Sequence, residues 1–580
     1  MSLNPLQPGA SRRRRAPRRR GLVLAAALMV AGAAVAVLVL VLAGGSPSAA
    51  TLAERYARAW ARRDWPALHA DLSLASPGEP SLARVVAIER RDEELSTASS
   101  ASVGRPSAEV DGRVSVPVSV RTRDFRTLYE QFELTIAPGG GDAVIRWNAA
   151  AEFPGLRAAE RLRRVESAPS RGILLARDGT PLNEIPSAAN LIGDVGAATA
   201  AQRQTLIADG FPASTPVGVD GLEQLFQRRL AGRPGGVLYG GRRLLAATAP
   251  RRGADVRTSV SPALQSQAVT ELGTSLGGIA AMDPATGEIL AAAGRPLSEL
   301  QPPGSTFKII TLTGVLEAGL GTAHTVYPYA SSSVIDGFTL HNSDGESCGG
   351  TLANAFAVSC NSVFAPLGVR LGATRMLAAA QSYGFNAPSP ISIAAESSIP
   401  PDSLDGDLAL GDSAIGQGQV LASPLQMLRV AATIALVGRR PVPTFAIVAP
   451  QRFQRVIPVT VARTVRALMR DVVAYGTGTA AQIPGVIVAG KTGTAQVITP
   501  QCNTGATGAS GASGATGATG ATGCPTFDND PYDTDAWFVA FAPEIRPRIV
   551  VAVLLPNDGA GGTSAAPLAK PLIETALGDG

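Results

Sequence analysis

The chain has 580 residues, 45% of them hydrophobic and 17% charged. That excludes a disordered polyelectrolyte, and the length exceeds what one compact domain usually holds. The net charge of +5 does not point to nucleic acid: seven arginines, Arg12 to Arg15 and Arg18 to Arg20, carry it, and without them the formal charge is −2.

Residues 1–20 form this basic tail. Residues 21–43 are uncharged and apolar, about the length that crosses a bilayer as a helix. The arginines precede the segment, so the tail is expected in the cytoplasm and everything after residue 43 outside, anchored by a single pass. Small residues at 46–50 could also serve as a signal-peptidase site, the alternative to a retained anchor.

The span 51–150 reads as an α+β domain. Leu52, Tyr56, Ala59, Trp60 and Leu68 share helical spacing across 51–73. Val114, Val116, Val118 and Val120 then alternate on one face of a strand. Residues 155–255 are arginine-rich, with a strand–turn–strand at 170–182 around Asp178-Gly179 and a short amphipathic helix at 221–232. The largest domain is expected over 256–580. Strand patterns at 277–294 (two strands), 486–499, 535–543 and 548–556 enclose a mainly helical and loop region, 305–435, and a closing helix follows at 566–577. Five strands with helices before and after predict a sheet flanked by helices, an α/β sandwich. Residues 505–523 are a Gly-rich low-complexity insert between two of these strands, expected to be flexible.

Four cysteines, Cys348, Cys360, Cys502 and Cys524, all lie in the exported part, where disulfides persist. Three pairings are open; proximity favours Cys348–Cys360 and Cys502–Cys524. The chain has no Cys-x-x-Cys, and His69, His324 and His341 stand apart, so no metal or organic cofactor is implied.

Of the 51 basic residues only Lys308, Lys491 and Lys570 are lysine. Arginine stays charged in proteins, whereas a buried lysine beside another cation can lose its proton and act as a base. Ser305-Thr306-Phe307-Lys308 is the one Ser-x-x-Lys of the chain, with Pro302, Pro303 and Gly304 before it and an apolar helical run after it. This places Ser305 at a helix N-terminus and Lys308 one turn on, on the same face. A serine so placed becomes a nucleophile when the amine takes its proton. Ser359-Cys360-Asn361 follows, and then Lys491-Thr492-Gly493-Thr494 on a predicted strand. Each motif alone is weak, since a cap or a surface charge accounts for it. Two of three lysines falling in an ordered trio is not weak.

The trio resembles the signature of penicillin-binding proteins and serine β-lactamases. "DPATGEILA", "GQGQVLASPLQM" and "AWFVAFAP" extend the resemblance over about 256–580 to class B penicillin-binding proteins. "RGILLARDGTPL" and "GLEQLFQRRLAGRPGG" are similar to that class's dimerisation or pedestal domain, over 155–255, and the helix after residue 51 to its NTF2-like N-terminal domain. One departure is Asp535, where relatives often carry His or another residue. The resemblance implies a peptidoglycan D,D-transpeptidase with a five-stranded antiparallel sheet of the serine β-lactamase/transpeptidase type. It implies that Ser305 is acylated by D-Ala-D-Ala stem peptides and β-lactams and that Lys308 is the base. Ser359 would relay a proton, Asn361 would hold Lys308 and the substrate amide, and Lys491 would be the second cation. Thr492, Gly493 and Thr494 would line the substrate and oxyanion site. Its implied partners are the cytoplasmic membrane and other proteins of cell-wall synthesis. The same trio serves D,D-carboxypeptidases and β-lactamases, and a catalytically silent scaffold shares the fold.

Overall fold

A computed structural model describes residues 48–72, 80–138, 142–447, 453–496 and 534–578. The expected tail (1–20), anchor (21–43), Gly-rich insert (505–523), Cys502 and Cys524 lie outside the described residues. Among the described residues no helix is long and apolar enough to cross a membrane. The described residues divide into two compact units: the first comprises those up to 168 with 206–212 and 234–250, the second those in 169–205 and 213–233 and from 251 onward. The span 155–255, expected as one domain, is thus shared between the two units.

In the first unit, α1 (Ala49–Arg62) is capped by Ser48, whose hydroxyl accepts from Thr51 N. Leu52, Tyr56 and Trp60, four apart, form its buried face. The helix expected over 51–73 is broken: Arg63 adopts φ 60°, Asp64 caps a new helix (Trp65–Ala70), and Pro66 lies in that helix's first turn. Helix α2 (Leu82–Ser96) leads into the antiparallel sheet β1 (Ala98–Val103), β2 (Arg113–Thr122), β3 (Thr127–Pro138), β4 (Ala143–Ile145). The alternating valines of β2 all face the core, at 0–2% exposure. Each such burial is worth roughly 1.5–3 kcal/mol. Trp60 meets Phe132 and Phe153 edge-on, with ring centroids 5.3 and 5.7 Å apart. A second sheet, β5 (Leu162–Ser167), β6 (Gly235–Gly240) and β7 (Arg243–Thr248), has order β7-β6-β5, and Leu162 and Leu238 join the same core.

In the second unit, the turn expected around Asp178-Gly179 forms, with Gly179 at φ 100°. The helix expected over 221–232 is two short pieces, Gly221–Leu225 and Gln227–Leu230. The centre is a five-stranded antiparallel sheet. In chain order its framework is α3 (Pro262–Leu272), β8 (Gly278–Met282), β9 (Ile289–Gly294), α4 (Lys308–Glu317), β10 (Val326–Ala330), β11 (Ser332–Ile335), β12 (Phe338–His341), β13 (Cys348–Thr351), α5 (Leu352–Ala357), α6 (Asn361–Leu371), α7 (Pro424–Ala435), α8 (Val459–Ala474), β14 (Ala489–Gln496), β15 (Thr534–Ala542), β16 (Ile549–Leu555) and α9 (Ala566–Gly578). The sheet order is β9-β8-β16-β15-β14. Successive residues enter two different cores: Trp537, Val539 and Phe541 pack with α4 and α7, while Ala536, Phe538 and Ala540 pack with α3 and α9. Helices on both faces explain strands that read as unbroken apolar runs. The region 305–435, expected to be helical and loop, also holds the strand pairs β10–β13 and β11–β12.

Candidate active site

Thr306 closes the turn that carries the first motif: its N–H and hydroxyl both donate to Pro303 O, at 3.3 and 2.6 Å. Ser305 therefore sits in a 3₁₀ turn, Gly304–Phe307, rather than in the first turn of an α-helix, and α4 begins at Lys308. Residues three apart eclipse in such a turn, which puts Ser305 and Lys308 on one side. Two close approaches seat the turn on the edge strand β14. Gly304, at φ 50°, lies so near Thr494 O that a Cβ would come within 2.8 Å of it. A Cβ on Gly493 would meet Pro303 O at 2.8 Å and Trp537 Cβ at 2.9 Å. Trp537 also holds the turn, its Nε1 donating to Pro302 O at 2.9 Å.

Lys308 and Lys491 are both fully buried. Lys308 Nζ donates to Ser359 O at 2.6 Å and Asn361 Oδ1 at 2.6 Å, and lies 3.3 Å from Ser359 Oγ. Lys491 Nζ donates to Ser359 Oγ at 2.9 Å and Thr492 O at 3.1 Å. Among the described residues neither amine has a carboxylate partner. Burial, and then the charge of Lys491, hold Lys308 well below the usual lysine value. Burial lowers Lys491 to about 7. A neutral Lys308 has two N–H bonds, which match its two carbonyl acceptors, and one lone pair left for a hydroxyl proton. Among the described residues no hydrogen bond joins Ser305 to Lys308; catalytic contacts of this kind tighten in the substrate complex.

Ser359 occupies the joint between α5 and α6 with φ 65°, the left-handed region, which costs a side-chain-bearing residue energy. That backbone turn aims both its carbonyl and its hydroxyl at Lys308. Asn361 begins α6, its Nδ2 donating to His341 O at 2.9 Å. On β14, Lys491, Gly493 and Ala495 alternate with Thr492 and Thr494. Thr492 Oγ1 is 2.5 Å from Thr477 Oγ1, and Thr494 Oγ1 accepts from Gly561 N at 3.4 Å. Cys348 and Cys360 form a disulfide with Cα atoms 5.8 Å apart. Asp535 is buried opposite Ala495, and burial raises its carboxyl to about 6 against the pull of Asn557 N–H.

The three motifs thus converge on one cluster. From sequence no site role is assigned to Thr477, to Trp537, which enters only within "AWFVAFAP", or to His341, which enters only as an isolated histidine. Thr477 had a local signal, its flanking glycines Gly476 and Gly478; a main-chain acceptor such as His341 O has none.

The penicillin binding protein transpeptidase domain matches residues 277–574. The chain is 31% identical over 422 residues to the peptidoglycan D,D-transpeptidase PbpA of Mycolicibacterium smegmatis, covering 62% of this chain and 77% of that protein. Among solved structures, penicillin-binding protein A from M. tuberculosis as a ceftriaxone acyl-enzyme complex superposes with a TM-score of 0.54 at 26% identity, covering 71% of this chain and 99% of that one. The D,D-transpeptidase domain from Eggerthella lenta does so with 0.55 at 26%, covering 71% and 99%. The chain belongs to the penicillin-binding protein transpeptidase family and is a class B penicillin-binding protein.

Proposed function

We propose that this chain is a peptidoglycan D,D-transpeptidase that works through an acyl-enzyme on Ser305. The observation that carries the reading is the convergence of two buried, carboxylate-free lysines on one serine hydroxyl beside the nucleophile's turn. Lys308, held neutral by burial and by Lys491, accepts the Ser305 proton as Oγ attacks the carbonyl of the penultimate D-Ala. Ser359 passes that proton to the departing amine of the terminal D-Ala, leaving a Ser305 ester. The amine of a neighbouring stem peptide attacks the ester, forms the cross-link and returns the proton to Ser305. Asn361 fixes Lys308 and the substrate amide, and Thr492 and Thr494 receive the substrate carboxylate. Backbone N–H groups of Ser305 and Thr494 hold the oxyanion. A β-lactam acylates the same serine.

The apolar segment 21–43 supports a single-pass anchor with residues 1–20 in the cytoplasm, and cell-wall synthesis proteins as neighbours. The build of the first unit, helices packed on a four-stranded antiparallel sheet, supports an NTF2-like assignment, and the strand–turn elements within 155–255 a pedestal.

The test is fluorescent-penicillin labelling of the full-length protein in detergent, beside Ser305→Ala. A stable adduct on the wild type alone is expected. Labelling of the variant removes Ser305 from its role; no adduct with intact antibiotic indicates a silent scaffold, and no adduct with hydrolysed antibiotic a β-lactamase. A D-Ala-D-Ala stem peptide with an amine acceptor separates cross-linking from carboxypeptidase release of D-Ala.

A further inference from the structure

We propose that the Cys348–Cys360 disulfide is a positioning element of the catalytic centre: it holds Ser359 in the left-handed conformation that aims one residue's carbonyl and hydroxyl at Lys308. This deepens the acyl-enzyme reading above and rests on it.

Cys360 is the middle residue of the Ser-x-Asn motif, so the bond leaves the chain between Ser359 and Asn361. Its sulfur is fully buried. The far end, Cys348, opens β13, which pairs with β10 at Ala330. Hydrogen bonds run alongside the covalent tie. Asn342 Nδ2 donates to Ala330 O and to Glu346 O, both at 2.8 Å, and its Oδ1 accepts from Ser362 N at 2.8 Å. Ser362 Oγ reaches Ala330 O at 3.2 Å.

These contacts anchor the start of α6, after the strained residue. The end of α5 lies before it, with Cys360 N donating to Ala355 O at 2.8 Å and Ser359 N to Phe356 O at 3.2 Å. Ser359 is spanned by this turn, and the disulfide is the one covalent restraint on its far side. A serine released from φ 65° relaxes toward the right-handed or extended regions, because its Cβ crowds the following carbonyl. That relaxation swings Ser359 O away from Lys308 and Ser359 Oγ away from Lys491, and both lysine contacts loosen together. Hydrogen bonds alone resist such a swing less than a bond between sulfurs does.

The experiment compares three full-length proteins in detergent: wild type, Cys348→Ala, and Cys348→Ala/Cys360→Ala. Cys348→Ala breaks the tie without touching the motif. Cys502→Ala/Cys524→Ala is the control for loss of cysteines elsewhere. Acylation by a fluorescent penicillin is followed at subsaturating and saturating concentration across pH, with rates normalised to end-point stoichiometry so that only folded protein counts. The two Cys348 variants are expected to lose about tenfold in the limiting acylation rate, with little change in the concentration for half-maximal rate, and their acid limb is expected to move to higher pH as Lys491 and Lys308 separate. The control keeps wild-type behaviour. Rates and pH profile equal to wild type in both Cys348 variants overturn the proposal, as does a loss confined to stoichiometry, which marks a purely structural bond. Hydrogen exchange of the 355–362 amides is read without ligand: faster exchange in the variants is expected, and unchanged exchange overturns the positioning claim. Failure of the wild type to acylate sinks the parent reading, and the exchange result still decides this one.

Discussion

Both units bury ionisable groups whose pKa is shifted by burial, and one pair from each has opposite chemistry. The second unit buries Lys308 and Lys491; every donor contact described for them goes to an oxygen of another motif residue, Ser359, Asn361 or Thr492. The first unit buries Glu89 and Asp92 on α2, and each leaves one oxygen without a hydrogen-bond partner, Glu89 Oε1 and Asp92 Oδ2. Trp60 Nε1 serves Glu89 at 2.8 Å and Arg91 serves Asp92 at 2.7 Å. Burial raises Glu89 well above its usual value, with the charges of Asp92, Glu152 and Glu93 adding to it. Burial raises Asp92 to about 6 despite Arg91. In one unit a shifted pKa produces a base beside a nucleophile's turn; in the other, the one described hydroxyl at Asp92, that of Ser96, is spent on the main-chain oxygen of Asp92, and the shift falls on stability. A perturbed ionisable group marks a reactive site only when its partners include the atoms that react.

The largest effect that tests this contrast is Lys308→Arg. It keeps a cation and removes the base, so the acylation rate is expected to fall roughly 10²–10⁴-fold, close to Lys308→Ala, measured by stopped-flow labelling. Substantial activity in the arginine variant means that burial of Lys308 does no chemistry.

Lys491→Ala sharpens the electrostatic half of the comparison. Without the neighbouring charge the Lys308 pKa rises, so the acid limb of the acylation profile should move up in pH while burial keeps it below the usual lysine range. An unmoved limb separates the two amines.

For the first unit, a carboxyl raised above its unfolded value stabilises the fold fully below that unfolded value, and the contribution is lost as pH rises through the folded one. For Asp92 the window runs from about 4 to 6, and for Glu89 it starts near 4.5 and extends upward. Thermal melting at pH 8 should therefore find Glu89→Gln more stable than wild type by on the order of 1–3 kcal/mol, with a flatter pH profile. A less stable Glu89→Gln would show an ionised, compensated Glu89.

The smallest expected effect is the exposed Arg58–Glu54 pair on α1. Arg58→Ala should shift first-unit stability by at most about 0.5 kcal/mol, and salt should erase the difference. A larger shift would mean that this pair matters more to the unit than its exposure implies.

Much of the catalytic centre was legible because lysine is scarce here: two of three lysines lie in the trio, one where a base is needed and one where a neighbouring cation is. Strands were legible where alternation or continuous apolar runs met turn residues, as with the β2 valines and β16. The joint in the 51–73 helix was not, because apolar spacing continues across Arg63-Asp64 while the backbone turns. The strand pairs at 326–351 were missed because their strands are only four or five residues long and partly exposed, so burial imposes little pattern.

By itself, the sequence determined the order of the motifs, the residue types able to do acyl-transfer chemistry, and the faces of the longer strands, since these depend on side-chain chemistry and on periods of two and 3.6 residues. Only the tertiary structure decided that Lys308 and Lys491 meet at one hydroxyl, that Ser359 does so from a left-handed backbone, and that β14 takes the sheet edge beside Ser305. Those outcomes depend on which distant surfaces bury one another, and a local pattern carries no information about pairing across more than a hundred residues.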